Sequence, residues 1–235
     1  MGFRRAIAPS RILNGDELTA ALVGIGISLA AAPARNPNIE DVLLAASVEG
    51  LEHDDLRVLA MLVTWLGVHS AWINADRLTS IVRDHPSERV RAFWSAIARG
   101  LAKDRRFARM AKAYPGPRID LLGTGTDFQI KRAGEDPRFA GTPLRVPANV
   151  LRDRKGDVLS PAELARRHRS YRMRVMLGPS YRADIWAELE GDSSLPPAEL
   201  ARRTYGSFAT AWRIKHDWAL LHGGTVARHE ASPAG

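Results

Sequence analysis

The residues best able to do chemistry in this chain are arginines, and they crowd together late in the sequence. Arg202, Arg203, Tyr205, Ser207, Thr210, Arg213, Lys215 and His216 all fall within one short stretch. Guanidinium groups make forked contacts to phosphate oxygens and to the guanine edge, while hydroxyls and helix-start N–H groups add contacts to phosphate. The pattern suits recognition of a duplex nucleic acid better than the making or breaking of bonds. On that reading Arg213 reads guanine, and Thr210 meets a phosphate or a thymine methyl. Tyr205 and Ser207 sit where the first N–H groups of a helix face phosphate. Arg202, Arg203 and Lys215 hold the flanking backbone, and His216 shares the face. Asp217 lies on the same face and would repel phosphate. The alternative is a solvated polar face on a small helical bundle.

The overall charge agrees with either reading. Lys+Arg is 34 against Asp+Glu 26, a formal +8. Lysine occurs only at 103, 112, 131, 155 and 215, so 29 of the cations are arginine. A GC-rich genome would raise arginine and alanine together without any nucleic-acid role. Two further basic runs stand out. Arg152 to Arg174 has eight cations and three anions and contains Arg166, Arg167 and Arg169. Arg99 to Lys112 has six cations and one anion. The first adjoins the C-terminal cluster and could track a phosphate backbone. The second reads as a solvated face.

Other chemistries find little support. There is no cysteine, which excludes disulfides, zinc-thiolate sites and thiol catalysis. The seven histidines, at 53, 69, 85, 168, 216, 222 and 229, do not cluster at ligand spacing. Gly123-Thr124-Gly125-Thr126 could form an anion nest, but it lacks a following lysine and an amphipathic helix, so a turn is expected. Glu52, Asp54 and Asp55 read as a helix start. No nucleotide, hydrolase or metalloprotease motif occurs. The sequence therefore points to a protein without catalysis, cofactor or metal.

The elements that must position the arginine cluster are three helices. Ser180 caps YRADIWAELE, a short helix AELARRT follows Pro196-Pro197, and SFATAWRIKHDWALLH ends at Gly223-Gly224. A tight turn at Tyr205-Gly206 separates the last two, with Gly206 expected to supply a positive φ. Phe208, Ala211, Ile214, Trp218 and Leu221 recur at helical spacing and would anchor the last helix on Ile185, Trp186 and Leu189. This layout resembles the helix-turn-helix and winged-helix superfamily of DNA-binding units. The resemblance implies that the helix from Ser207 lies in the major groove. Only TVARHE and a short tail follow Gly224, too little for two wing strands, so a wingless version is expected.

Upstream, the fold class reads as mainly α. Residues 1–115 look like a helical domain. A first helix runs from Asn14 or Asp16 to near Ala32, and a second opens at Asn38. A third opens at Asp54-Asp55 with Leu56, Leu59, Leu62, Val63 and Leu66 on its stripe, and a fourth is capped by Asn74. A fifth has Pro86 in its first turn and Phe93, Ile97 and Leu101 on its stripe. Residues 116–156 are rich in Gly and Pro and read as an irregular linker, with short strands at Ile119–Leu122 and Phe128–Ile130. Residues 157–235 form the C-terminal helical domain. It opens with Ser160, Pro161 and Glu163, a capping box, on a helix that runs to Gly178-Pro179. LSPAELARRH at 159–168 and LPPAELARRT at 195–204 are near copies, read as one helix-start pattern used twice.

The apolar run Leu18 to Ala32 has 15 residues, short of the roughly 20 that cross a bilayer. Arg4, Arg5 and Arg11 precede it, but Asp16 and Glu17 stand directly before it, unlike a signal peptide. A cytoplasmic protein without a membrane partner is expected. The leading reading is thus a bacterial transcriptional regulator or a DNA-binding antitoxin-like protein on duplex DNA. Its N-terminal domain would serve a protein partner or a second copy of the chain. The alternative is a non-catalytic helical interaction or scaffold protein, and the third is a nucleic-acid-processing enzyme.

Overall fold

Helix starts in this chain follow its short polar side chains. A computed structural model describes residues 12–223. Its helices are α1 (Gly15–Gly24), α2 (Ile39–Glu52), α3 (Leu56–His69), α4 (Ala75–Arg83), α5 (Glu88–Gly100), α6 (Thr126–Ala133), α7 (Pro161–Arg167), α8 (Arg169–Leu177), α9 (Tyr181–Gly191), α10 (Pro197–Thr204) and α11 (Phe208–Leu221). Asn38 caps α2 through Asp41 N at 3.2 Å, and Asp55 caps α3 through Arg57 N and Val58 N. Asn74, Ser87, Ser180 and Ser207 cap α4, α5, α9 and α11 in the same way. Each such bond satisfies an N–H that the helix itself cannot, typically worth about 1 kcal/mol. The capping box at Ser160 and Glu163 forms as expected, with both reciprocal bonds present. The fold is mainly α. β1 (Ile119–Asp120) and β2 (Leu144–Arg145) add one short parallel pair.

Several elements end or begin where tertiary packing, not local propensity, decides. The first helix stops at Gly24 rather than near Ala32. A Cβ on Gly24 would stand 2.7 Å from the Ala34 carbonyl oxygen, and Gly26 adopts φ +92. The chain there turns back and pairs Ile27 with Val158. Pro86 lies just before the Ser87 cap rather than in the first turn of α5. Phe128 to Ile130 is part of α6, not a strand, and α6 follows the Gly125 turn directly. The long helix expected from Ser160 to Gly178 breaks at His168. That residue leaves the helical region, accepts a bond from Tyr171 N at 3.1 Å and donates to the Pro37 carbonyl at 3.0 Å. The two near-copied segments do form like helices, α7 and α10, each burying its central leucine, Leu164 or Leu200.

The hydrophobic cores do not divide where composition does. One large core runs from Leu18 to Tyr171 and holds Trp65, Trp94, Phe93 and Leu43. It also takes Leu121, Phe139, Leu144, Val146 and Leu151 from the segment read as a linker, and Leu164 and Tyr171 from the segment read as the start of the C-terminal domain. These side chains are scattered among glycines and prolines and lack a period, so only their burial reveals them. A second, small core comprises Ile185, Leu189, Leu195, Leu200, Ala211 and Ile214. The break between cores therefore falls after α8, not at 115 or 157. No helix among the described residues is long and apolar enough to cross a membrane. The expectations placed on Arg4, Arg5, Arg11, Gly224, TVARHE, His229 and the tail fall outside the described residues.

Candidate nucleic-acid interface

The unit α9–α11 is a three-helix arrangement closed over its small core. Ala211 and Ile214 of α11 are buried against α9 and α10, and the Trp218 ring tilts over Trp186 with centroids 4.9 Å apart. The expected stripe holds in its middle and fails at its ends. Phe208 is 58% exposed and Leu221 is 73% exposed, because the core is too small to reach them. The turn also differs from expectation. Tyr205, not Gly206, takes the left-handed conformation, with φ +57. Gly206 earns its place through space instead, since a Cβ would come within 3.3 Å of Thr204 Oγ1 and 3.5 Å of Ile185 Cδ1.

Tyr205 tolerates that backbone because both ends of its side chain are held. Its hydroxyl donates to Asp41 Oδ2 at 2.7 Å, and the Arg77 guanidinium lies over its ring at 3.3 Å. Burial, with Asp41 beside it, pushes its phenol up to about 12. Tyr205 therefore fastens the turn to α2 and α4, its hydroxyl engaged with Asp41. Arg77 also bonds Asp41.

Beside it lies a buried ionic bridge. Arg174 is buried and bridges two carboxylates. Its Nε and Nη2 donate to Asp184 at 2.7 and 2.9 Å, and its Nη1 and Nη2 donate to Glu40 at 2.7 and 2.9 Å. Glu40 also accepts Asn74 N at 2.9 Å. Burial raises the Glu40 carboxyl, but Arg174 and Arg77 outweigh it and hold the group below its ordinary value. Burial wins at Asp184 and Asp41, whose carboxyls are raised. Arg174 ties α8 to α2 of the body and to α9 of the C-terminal unit at once. A cation read from sequence as part of a basic run is thus internal and fully engaged.

The other proposed contact residues separate into two groups. Arg213 is exposed and makes no hydrogen bond or ion pair among the described residues; Arg166 and Arg167 are also exposed and free of such partners. Arg202 pairs with Glu199 at 2.6 Å, and Arg203 reaches Glu199 at 2.7 Å and Glu188 at 3.3 Å. These bonds hold the Glu199 carboxyl down at about 2. In all three pairs the guanidinium is exposed and the carboxylate part-buried, so the pairing is worth little in water and a phosphate can compete for the arginine. Lys215 is engaged elsewhere, donating to the carbonyls of Ser194 and Leu195 at 3.2 and 2.6 Å and so clamping the α9–α10 loop. Ser207 and Thr210 bond each other at 2.7 Å, and Ser207 caps α11. His216 stacks on Trp212 at 5.8 Å, and Asp217 pairs with Arg182 at 3.2 Å, which removes some of its repulsion. In the second basic run, Arg106 pairs with Asp104 and donates to the carbonyls of Ile73 and Ser70, and Arg109 lies 3.6 Å from Asp76.

Arg169 packs its guanidinium against the bare backbone of Gly191, where a Cβ would collide with it. Together with Arg35, Asn36, Glu188, Asp192, Arg202, Arg203 and Tyr205 it lines a cleft of about 490 Å³ between the body and the C-terminal unit. Sequence reading missed Arg35, Arg77 and the Glu40–Arg174–Asp184 bridge. The only local signal was a carboxylate, Asp184, on the apolar side of α9. Comparison with protein-family models, with curated proteins and with solved structures finds no match for this chain.

Proposed function

We propose that the chain is a DNA-binding protein of the regulator or antitoxin-like kind, meeting duplex DNA with α10 and the solvent face of α11. One observation carries this reading. α11 is held by its own small core with the Arg213 side chain exposed and unpartnered, while the exposed guanidinium groups of Arg202 and Arg203 project from the adjoining helix, paired only with the part-buried carboxylates of Glu199 and Glu188. Arg213 then serves base reading, and Arg202 and Arg203 serve phosphate. Tyr205 and Lys215 play no part in the contact, because each holds the unit together. A regulator of this build acts in the cytoplasm and carries out no reaction of its own.

The test is a titration against random duplex DNA at 50 and 200 mM salt. Six phosphate contacts would release enough counterions to weaken binding by about a thousandfold over that range. Binding that is absent at low salt, or indifferent to salt, sinks the reading.

A second reading has its own support. Phe208, Trp212, Leu220 and Leu221 of α11 are 58, 50, 66 and 73% exposed, an apolar set suited to a protein partner. It predicts that Trp212→Ala abolishes self-association or partner capture while leaving DNA titrations blank.

A further inference from the structure

The cleft between the body and the C-terminal unit sets two further arginines, Arg35 and Arg169, beside the two that the DNA reading uses. Its volume of about 490 Å³ lies within the range of small-molecule sites. Four arginines line it from three separate parts of the chain: Arg35 from the loop before α2, Arg169 from the start of α8, and Arg202 and Arg203 from α10. The acidic wall residues are Glu188 and Asp192. Glu188 is bound to Arg203 at 3.3 Å, and Asp192 accepts from the Ser194 N–H and hydroxyl at 2.9 and 2.6 Å. Among the described residues, Glu199, the partner of Arg202, is the only other carboxylate paired with these arginines. Arg35 and Arg169 have no hydrogen-bonded or ionic partner among the described residues.

The cleft is also shaped rather than merely charged. Gly191 leaves bare backbone under the Arg169 guanidinium, so that group lies along the wall. Asn36, with a left-handed φ of +52, accepts from Ser170 N at 2.9 Å and donates to Ser170 Oγ at 3.1 Å, fixing the body's loop to the start of α8. Inward, the cleft adjoins a polar cavity of about 60 Å³ lined by Asn38, Thr204, Arg174 and Asp184. The last two belong to the buried bridge that holds α9 to the body.

We propose that this cleft binds a small ligand carrying two or more linked phosphates. Forked guanidinium groups from opposite walls match a pyrophosphate group, since each can take two oxygens. Arg35 on the body and Arg202 and Arg203 on α10 then close on one anion. Occupancy draws the α10 arginines away from the DNA backbone, so the ligand lowers DNA affinity. The binding part stands whether or not DNA binding does.

Calorimetric titration of the full chain with inorganic pyrophosphate and with tripolyphosphate at low salt tests it. Wild type binds with a defined stoichiometry near one. Arg35→Ala and Arg169→Ala each weaken binding about tenfold or more, the loss of one charge-assisted contact. Gly191→Ala weakens it as well although it removes no charge, because the new methyl displaces the Arg169 guanidinium. Arg213→Ala, outside the cleft, leaves it unchanged. Arg35 is exposed, so its variant folds even where Gly191→Ala does not. No pyrophosphate binding in wild type overturns the proposal. So does a loss in Arg213→Ala equal to that in Arg35→Ala, which marks diffuse attraction to a basic surface. A DNA competition arm separates the two readings: pyrophosphate binding without any DNA binding sinks only the regulator reading.

Discussion

The body and the C-terminal unit are built by different means. The body buries a continuous apolar core whose two largest aromatics have their N–H groups paired, although Asn74 Nδ2 and Arg154 Nε at its edges find no partner among the described residues. Trp65 donates to the Ile25 carbonyl at 2.8 Å and Trp94 to Ser47 Oγ at 3.0 Å. The small core of the C-terminal unit has six buried apolar side chains, and the Trp186 N–H finds no acceptor among the described residues. It meets the body through polar devices, chiefly the Arg174 bridge and the Tyr205–Asp41–Arg77 cluster. Buried ion pairs contribute less net stability than apolar packing of the same volume, but they fix one geometry, because any other leaves a charge unpaired. The body thus supplies stability, and the bridge sets where α10 and α11 stand.

That contrast can be broken first at the bridge. Arg174→Met leaves Glu40 and Asp184 without the cation that bridges them, with only the field of Arg77 remaining, and costs about 3–5 kcal/mol in denaturant unfolding. Replacing all three with apolar residues recovers most of that loss. A triple variant no more stable than Arg174→Met shows that the carboxylates were not the source of the cost.

Ile214→Ala separates the two cores. It removes a fully buried side chain from the small core, at about 2–5 kcal/mol. Hydrogen exchange should then show α9–α11 amides losing protection while those of α2, α3 and α5 keep theirs. Uniform loss across both regions means that they unfold as one unit.

The junction should also respond to acid. Burial pushes His69 and His168 down to about 4. Both rings use Nε2–H to donate to a carbonyl, Leu159 or Pro37, and Nδ1 to accept, from the Tyr171 hydroxyl or the Tyr171 N–H. A second ring proton on His168 Nδ1 would face the Tyr171 N–H and has no acceptor, and one on His69 would force the Tyr171 hydroxyl to turn from donor to acceptor. The unfolded chain takes that proton below about pH 6.5, so the stability tied to neutral histidine is full above 6.5 and lost as pH falls toward 4. The raised carboxyls of Asp41 and Asp184 tilt the acid range the other way, so the comparison between variants is the readout. His168→Asn, which keeps a capping oxygen for Tyr171 N, should flatten the fall between pH 6.5 and 4 by roughly 2–3 kcal/mol. A profile parallel to that of wild type contradicts the assignment.

Much of the helical frame was legible because caps are local. Asn38, Asp55, Asn74, Ser160, Ser180 and Ser207 announce helices within three residues of themselves. The end of α1 was not legible, since it depends on Gly24 meeting Ala34 after the chain has turned. Nor were Phe139, Leu144 and Val146, which are core by virtue of their surroundings and not their spacing. For the candidate interface, the three helices and the exposure of Arg213 could be read from periodicity. The roles of Tyr205, Lys215 and Arg174 could not, because their partners, Asp41, the Ser194–Leu195 loop and Glu40, lie on other elements. A basic run looks the same in sequence whether its cations face solvent or a buried carboxylate.

The central claim is that α11 reads DNA with Arg213 while α10 holds the phosphates. The direct measurement is the affinity of wild type, Arg213→Ala and Arg202→Ala for a duplex chosen by selection from a random pool, and for random duplex. The account predicts that both variants fold as wild type does. It predicts that Arg213→Ala loses about 1–3 kcal/mol on the selected duplex and less on random DNA, and that Arg202→Ala loses the same on both. An Arg213→Ala protein that binds the selected duplex as wild type does would contradict it.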